Sequence, residues 1–350
     1  MDQVSPGRSN RNEDTPPSDG HINLVSPTPL PKRDSQHSDN DKTARGALSP
    51  LGSSDMALDG PQPRCLFFDV FGTCVDWRKT VTDALWNQTR EALNSPAASI
   101  ASRKRVIASD MTYEQWGEVA QEWRDSYLRF TRELATDSNK AWKTVDEHHL
   151  DALREILTAR GLLFPRIDDT PDNLVHDGSL WDEQQIRQLS LVWHYLDPWP
   201  DTVRGIQELN RLFWTCTLSN GNLSLLQDMV KHANMDFTHV FSAEMFQSYK
   251  PNPAVYLGAA EKLGLKPEEC CLVAAHLDDL KAAKACGFRT IYVERPLEER
   301  FPGLKDEGFV DVWVGMDDEG FVTAAEKLGC QILRARRRST SAPPPLKEVR

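Results

Sequence analysis

The chain predicts an α/β architecture: a Rossmann-like parallel sheet with helices on both faces, and a helical cap inserted after the first strand. Three observations carry that expectation. The apolar run Cys65-Leu66-Phe67-Phe68 gives way at Asp69 to Val70-Phe71-Gly72-Thr73, the pattern of a buried strand ending in a glycine turn. From about residue 80 to 198, apolar residues recur at threes and fours and strand character is lost. From Pro200 the rhythm alternates between helix and strand, which implies parallel strands joined by crossover helices.

Taken in order, residues 1–62 are dense in Ser, Pro, Asp, Asn and Gly and almost lack aromatics. Such a segment buries too little apolar surface to offset its chain entropy and is expected to be disordered. The α/β core is assigned to 63–80 and 199–333, with its first strand at 65–68, and the cap to 81–198. In the cap one stripe runs Tyr113, Trp116, Ala120, Trp123, Tyr127 and Phe130. A second runs Leu150, Leu153 and Leu157, and a third Ile186, Leu189, Trp193 and Leu196. The polar connection from Pro165 to Gly178 is placed on the surface. The core then continues with a helix near 202–212, strand 214–218, a helix near 222–233 and a short strand at 239–242. It ends with helix 253–263, strand 270–274, helix 279–286, strand 289–293, strand 311–314 and a closing helix to about 329. Residues 334–350 form a basic, proline-rich tail, also expected to be disordered.

Composition narrows the function classes. A formal charge of −11 over 350 residues argues against a nucleic-acid partner, which calls for a basic stripe. No apolar stretch approaches the ~18 residues that span a bilayer, and the N-terminus lacks the apolar core of a secretory signal, so no membrane partner is expected. Seven cysteines, scattered and often inside apolar runs, suit buried reduced thiols. The expected location is the cytoplasm, with nuclear import through the Arg334–Arg338 run left open.

In parallel sheets the ligand lies beyond the carboxyl ends of the strands. That rule gathers Asp69 and Thr73, then Ser219 and Asn220 after the second strand, then His276 to Asp279 after the strand at 270–274. Lys250, within Ser248-Tyr-Lys-Pro-Asn-Pro253, approaches from a loop. Asp69 is a candidate nucleophile, and Lys250 the ammonium that keeps it ionised. Phe71 exchanges no proton, so that position offers no general acid.

These motifs resemble the haloacid dehalogenase (HAD) superfamily, and within it the type II 2-haloacid dehalogenases, most closely their fungal versions. The resemblance extends over roughly residues 63 to 330 and rests on four motifs in the family's order. These are Asp69-Val-Phe-Gly-Thr73, Leu218-Ser-Asn-Gly221, Lys250-Pro-Asn-Pro-Ala-Val-Tyr256 and Asp279. It implies a HAD-like core and a hydrolase that displaces halide from a small 2-halocarboxylate by forming an ester on Asp69. The resemblance makes Asp69, Lys250, Asp279, Thr73, Ser219 and Asn220 catalytic, and Phe71, Arg124, Leu128, Trp142, Tyr256 and His276 substrate-binding. Ala120, Arg124 and Leu128 are four apart on one helical face, which suits Arg124 to collecting halide or gripping a carboxylate. No cofactor and no metal is implied; the partner is a small carboxylate, and a homodimer is compatible with the reading.

Departures keep two alternatives open. Phosphatases of the superfamily carry an Asp where this chain has Phe71 and a Mg²⁺-holding Asp where it has Ala275, although Asp278 could substitute. Where the bacterial dehalogenases show Ser-Ser-Asn, this chain has Ala274-Ala275-His276, and Asp278 replaces a pocket-wall Trp. His276 is expected to stand in as base or hydrogen-bond donor near Asp279. The alternatives are a Mg²⁺-dependent phosphatase and a catalytically weak scaffold with regulatory tails.

Overall fold

The computed structural model describes residues 62–332 except 138 and 166–177. The expectations for the N-terminal region before Gln62, for the connection after Pro165 and for the tail from Arg334 therefore lie outside the described residues.

Five strands form one parallel sheet: β1 (Cys65–Phe68), β2 (Trp214–Thr217), β3 (Cys270–Ala274), β4 (Arg289–Val293) and β5 (Val312–Val314). Their spatial order is β2-β1-β3-β4-β5. The direction of strand addition reverses at β1, which places the end of that strand at the crevice where such sheets bind ligands. Strands β1, β2 and β3 are buried along their whole length, which is why β1 and β3 read as unbroken apolar runs and β2 interleaves threonines, not charged residues, with Trp214 and Cys216. The core helices are α6 (Thr202–Leu209), α7 (Leu223–His232), α8 (Pro253–Lys262), α9 (Leu277–Ala285) and α10 (Gly320–Lys327).

The strand expected at 239–242 does not form. Only isolated bridges occur, His239 with Cys216 and Ser242 with Ser219. The reason is Thr217, whose hydroxyl donates to the Phe241 carbonyl at 2.9 Å and accepts from the Phe241 amide at 2.8 Å. A side chain thus takes both groups that a strand ladder would use.

Between β1 and α6 lie the cap helices α1 (Trp77–Asn94), α2 (Ser102–Asp110), α3 (Tyr113–Thr136), α4 (Val145–Ala159) and α5 (Glu183–Ser190). Helix α3 starts at a capping box, Thr112 bonding the Gln115 amide while the Gln115 side chain accepts from the Thr112 amide. The same device, Thr144 with Glu147, starts α4. Helix α3 buries Trp116, Ala120, Trp123 and Tyr127 along its length, and Arg124 with them. That burial fixes the rotation of the helix and so aims Arg124 at the sheet edge. Among the described residues no helix is long and apolar enough to cross a membrane, and all seven cysteines are free, six of them buried.

Candidate active site

Asp69 leaves the carboxyl end of β1, 8 % exposed, with its amide bonded to the Val273 carbonyl at 3.0 Å. Both oxygens are engaged. Oδ1 accepts from Lys250 Nζ at 2.9 Å, and Oδ2 accepts from Thr73 Oγ1 at 2.7 Å and from His276 Nδ1 at 3.0 Å. Burial alone would raise this carboxyl, but the Lys250 ammonium, His276 and the Thr73 hydroxyl outweigh it and hold Asp69 well below the usual carboxylate range. The group is therefore a permanent anion.

Lys250 is buried too and also donates to Asp279 Oδ2 at 2.6 Å; its two carboxylate partners overcome burial and keep it charged. Tyr256 donates to the other Asp279 oxygen at 2.5 Å. The loop carrying Lys250 is pinned by Asn220, whose Oδ1 accepts the Lys250 amide at 2.7 Å and whose Nδ2 donates to the Lys250 carbonyl at 3.2 Å.

His276 does not sit over Asp279 as expected. Its Nδ1 meets Asp69, and its Nε2 lies 3.2 Å from Glu298 Oε2. Glu298 in turn accepts from Trp77 Nε1 at 2.8 Å. A ring nitrogen facing a carboxylate on each side needs a proton on both. Burial opposes the charge, but the two carboxylates outweigh it and the imidazole is pushed up to about 10. Gly72 makes this possible. It has φ +82°, and a Cβ there would fall 2.0 Å from Glu298 Oε2.

Above these groups is a cavity of about 130 Å³, floored by Asp69, Lys250 and His276 and walled by the cap residues Arg124, Tyr127 and Leu128. Arg124 is 5 % exposed, and its guanidinium carbon lies 4.7 Å from the ring centre of Tyr127, 5.4 Å from Phe71 and 5.6 Å from Trp77. Its one direct bond to the backbone is long, 3.4 Å to the Phe71 carbonyl. The site thus offers an ionised carboxylate and an aromatic-lined cation on facing sides.

Of the residues singled out by sequence, Asp69, Phe71, Arg124, Leu128, Asn220, Lys250, His276 and Asp279 line the cavity. Thr73 and Tyr256 lie behind it, holding Asp69 and Asp279. Tyr256 is fully buried with its hydroxyl engaged, so it supports Asp279 rather than contacting substrate. Ser219 is wholly buried, its hydroxyl accepting from the Gly221 amide at 3.3 Å, so it faces the turn and not the cavity. Trp142 is 39 % exposed and stacks on Tyr249 at 4.7 Å instead of walling the pocket.

Glu298, Trp77 and Arg78 line the cavity and were not singled out by sequence. Glu298 belongs to the run Glu294-Arg-Pro-Leu-Glu-Glu-Arg300, which reads as a solvated charged loop. It nonetheless follows β4, so the strand-end rule was the signal that could have found it.

The divalent ion implied by the phosphatase branch does not fit these residues. Ala275 supplies no ligand, the Asp69 oxygens already face Lys250, Thr73 and His276, and two of those partners, Lys250 and His276, are themselves cations. Among the described residues no three His, Cys, Asp or Glu side chains converge as a metal cage.

Comparison with known proteins agrees with this geometry at the family scale. The sequence model for haloacid dehalogenase-like hydrolases matches residues 63–287. (S)-2-Haloacid dehalogenase 4A of Burkholderia cepacia is 32% identical over 126 residues, 34% of this chain and 54% of the relative. The chain thus spans about half the length of that curated relative. A glyceraldehyde 3-phosphate phosphatase of Methanopyrus kandleri is 30% identical over 195 residues, 53% of this chain and 81% of the relative. Among solved structures, a defluorinating L-2-haloacid dehalogenase superposes with a TM-score of 0.61 at 28% identity, covering 76% of this chain and 95% of its own.

Proposed function

Because the chain belongs to the haloacid dehalogenase-like hydrolase family, we propose that it cleaves the carbon–halogen bond of a small 2-halocarboxylate through an ester on Asp69. The observation that supports this most is the state of Asp69. It is held ionised by Lys250, beside a Phe71 that has no proton to give a leaving group. A halide leaves without a proton, whereas a phosphate ester's alcohol needs one. The side chain at position 71 therefore suits the first chemistry and not the second.

In the first step the Asp69 carboxylate attacks the halogen-bearing carbon. A carbon–oxygen bond forms, the carbon–halogen bond breaks, and the halide carries off its electron pair toward Arg124. Esterification removes the negative charge of Asp69, and with it one of the two carboxylates that keep His276 charged. His276 then gives its proton to solvent, the proton that accompanies halide in the net release of acid. The neutral imidazole, still oriented by Glu298, accepts a proton from water as that water attacks the ester carbonyl. The carbon–oxygen bond to the acyl carbon breaks, the departing alkoxide takes the second proton of the added water, and Asp69 and the imidazolium are restored. Asp279, with both oxygens engaged by Lys250 and Tyr256, serves to hold Lys250 in place.

The test is halide release from (S)-2-chloropropionate with and without EDTA, alongside p-nitrophenyl phosphate with Mg²⁺. The proposal expects halide release that is indifferent to EDTA and abolished in Asp69→Asn. Phosphate release that requires Mg²⁺, in place of halide release, would overturn it in favour of the phosphatase. Silence in both assays would favour a scaffold.

A further inference from the structure

Trp77 carries two guanidinium groups, and only one of them has a role in the steps above. The Arg78 guanidinium carbon lies 4.6 Å from the Trp77 ring centre and that of Arg124 5.6 Å from the same ring. Both side chains line the cavity over Asp69. The other two arginines at its rim are neutralised, Arg132 by Asp278 at 2.6 Å and Arg300 by Asp125 at 3.2 Å. Arg78 and Arg124 make no ion pair with any of the described residues, and Arg78 Nε is buried without a hydrogen-bond acceptor. Two guanidinium groups without a carboxylate partner beside one cavity are suited to meet anions that arrive with substrate.

A 2-halocarboxylate presents one anion and creates a second, its carboxylate and the departing halide. The polar side chains of the turn after β2 are held by backbone groups. Ser219 is closed off against the Gly221 amide, and both ends of the Asn220 amide bind the Lys250 backbone. Resting on the dehalogenase reading, we infer that Arg78 grips the substrate carboxylate while Arg124 collects the halide. The division follows from the surroundings. Arg78 is half-buried in the first turn of α1; its Nε is enclosed, and its two terminal nitrogens make a planar fork that matches a carboxylate end-on. Arg124 is enclosed by Phe71, Trp77 and Tyr127, a dry aromatic setting suited to a monatomic, weakly hydrated anion.

The experiment compares (S)-2-bromopropionate with its neutral amide in wild type, Arg78→Gln, Arg78→Lys and Arg124→Gln. Calorimetric binding of propionate is measured alongside. Loss of one charge-assisted fork is expected to raise KM for the acid about 10- to 100-fold in Arg78→Gln, leaving kcat within a few-fold. The preference for acid over amide should collapse, and Arg78→Lys should restore part of it. Propionate binding should disappear in Arg78→Gln and survive in Arg124→Gln. An acid preference that persists in Arg78→Gln, or one erased by Arg124→Gln instead, would overturn the assignment. The two readings fail separately. No halide release, together with Arg78-dependent propionate binding, removes the reaction and keeps the carboxylate site. Halide release with propionate binding indifferent to Arg78 removes the site alone.

Discussion

His276 is the residue on which the hydrolytic half of the reaction turns. Its ring joins Asp69 at 3.0 Å to Glu298 at 3.2 Å, so its charge state follows that of the nucleophile. In His276→Gln the alkylation step keeps Asp69 and Lys250, but ester hydrolysis loses its base. A stoichiometric burst of halide followed by turnover slowed roughly 10²–10⁴-fold is expected in rapid-quench kinetics. Unslowed turnover with no burst would remove the base role. The same histidine sets a pH dependence of stability. A group raised from its ordinary 6.5 to about 10 stabilises the fold fully below pH 6.5, and that contribution is lost as pH rises toward 10. The gap in thermal midpoint between wild type and His276→Gln should therefore narrow over that window; a constant gap would contradict the paired imidazolium. Asp69 and Lys250 are legible in the sequence because each sits in a motif of the family's order, and Arg124 because it shares a helical face with Ala120 and Leu128. The partners of His276 are not, because Glu298 reaches it from a loop after β4 that nothing local marks as inward-facing.

At the scale of elements, the turn after β1 is shaped by what lies opposite it. Gly72 combines a left-handed φ of +82° with the Glu298 carboxylate 2.0 Å from where a Cβ would stand. Gly72→Ala should cost roughly 1–3 kcal/mol in denaturant unfolding through backbone strain. It should also displace Glu298 and so slow ester hydrolysis more than halide release. A variant with wild-type stability and wild-type partition between the two steps would refute that coupling. Element reading from sequence succeeded where burial is total, since β1 and β3 present unbroken apolar runs and β2 a β-prone Trp-Thr-Cys-Thr without charge. It failed at 239–242, where the Thr217 hydroxyl replaces a backbone ladder, a substitution invisible to periodicity. Trp142 departs from its expected place as well. The resemblance gives it a substrate-binding role, yet it lies in the connection between α3 and α4 and stacks on Tyr249 while 39 % exposed.

Across the whole molecule, the topology brings the carboxyl ends of four strands under one face of the cap. β1 supplies Asp69, β2 the Ser219-Asn220 turn, β3 His276 and Asp279, and β4 Glu298. Helices α1 and α3 lower Trp77, Arg78 and Arg124 onto them. The order of motifs made this arrangement legible, because a parallel sheet converts sequence order into a shared edge. The division of labour within the edge came only from distances. The central claim is that Asp69 is alkylated and then regenerated by water attacking its own carbonyl. A single turnover of (S)-2-chloropropionate in H₂¹⁸O, followed by mass analysis of the peptide containing Asp69, tests it directly. One ¹⁸O in the Asp69 carboxylate and unlabelled hydroxy acid are expected. Label in the hydroxy acid with an unlabelled Asp69 would show that water, and not the carboxylate, displaces the halide.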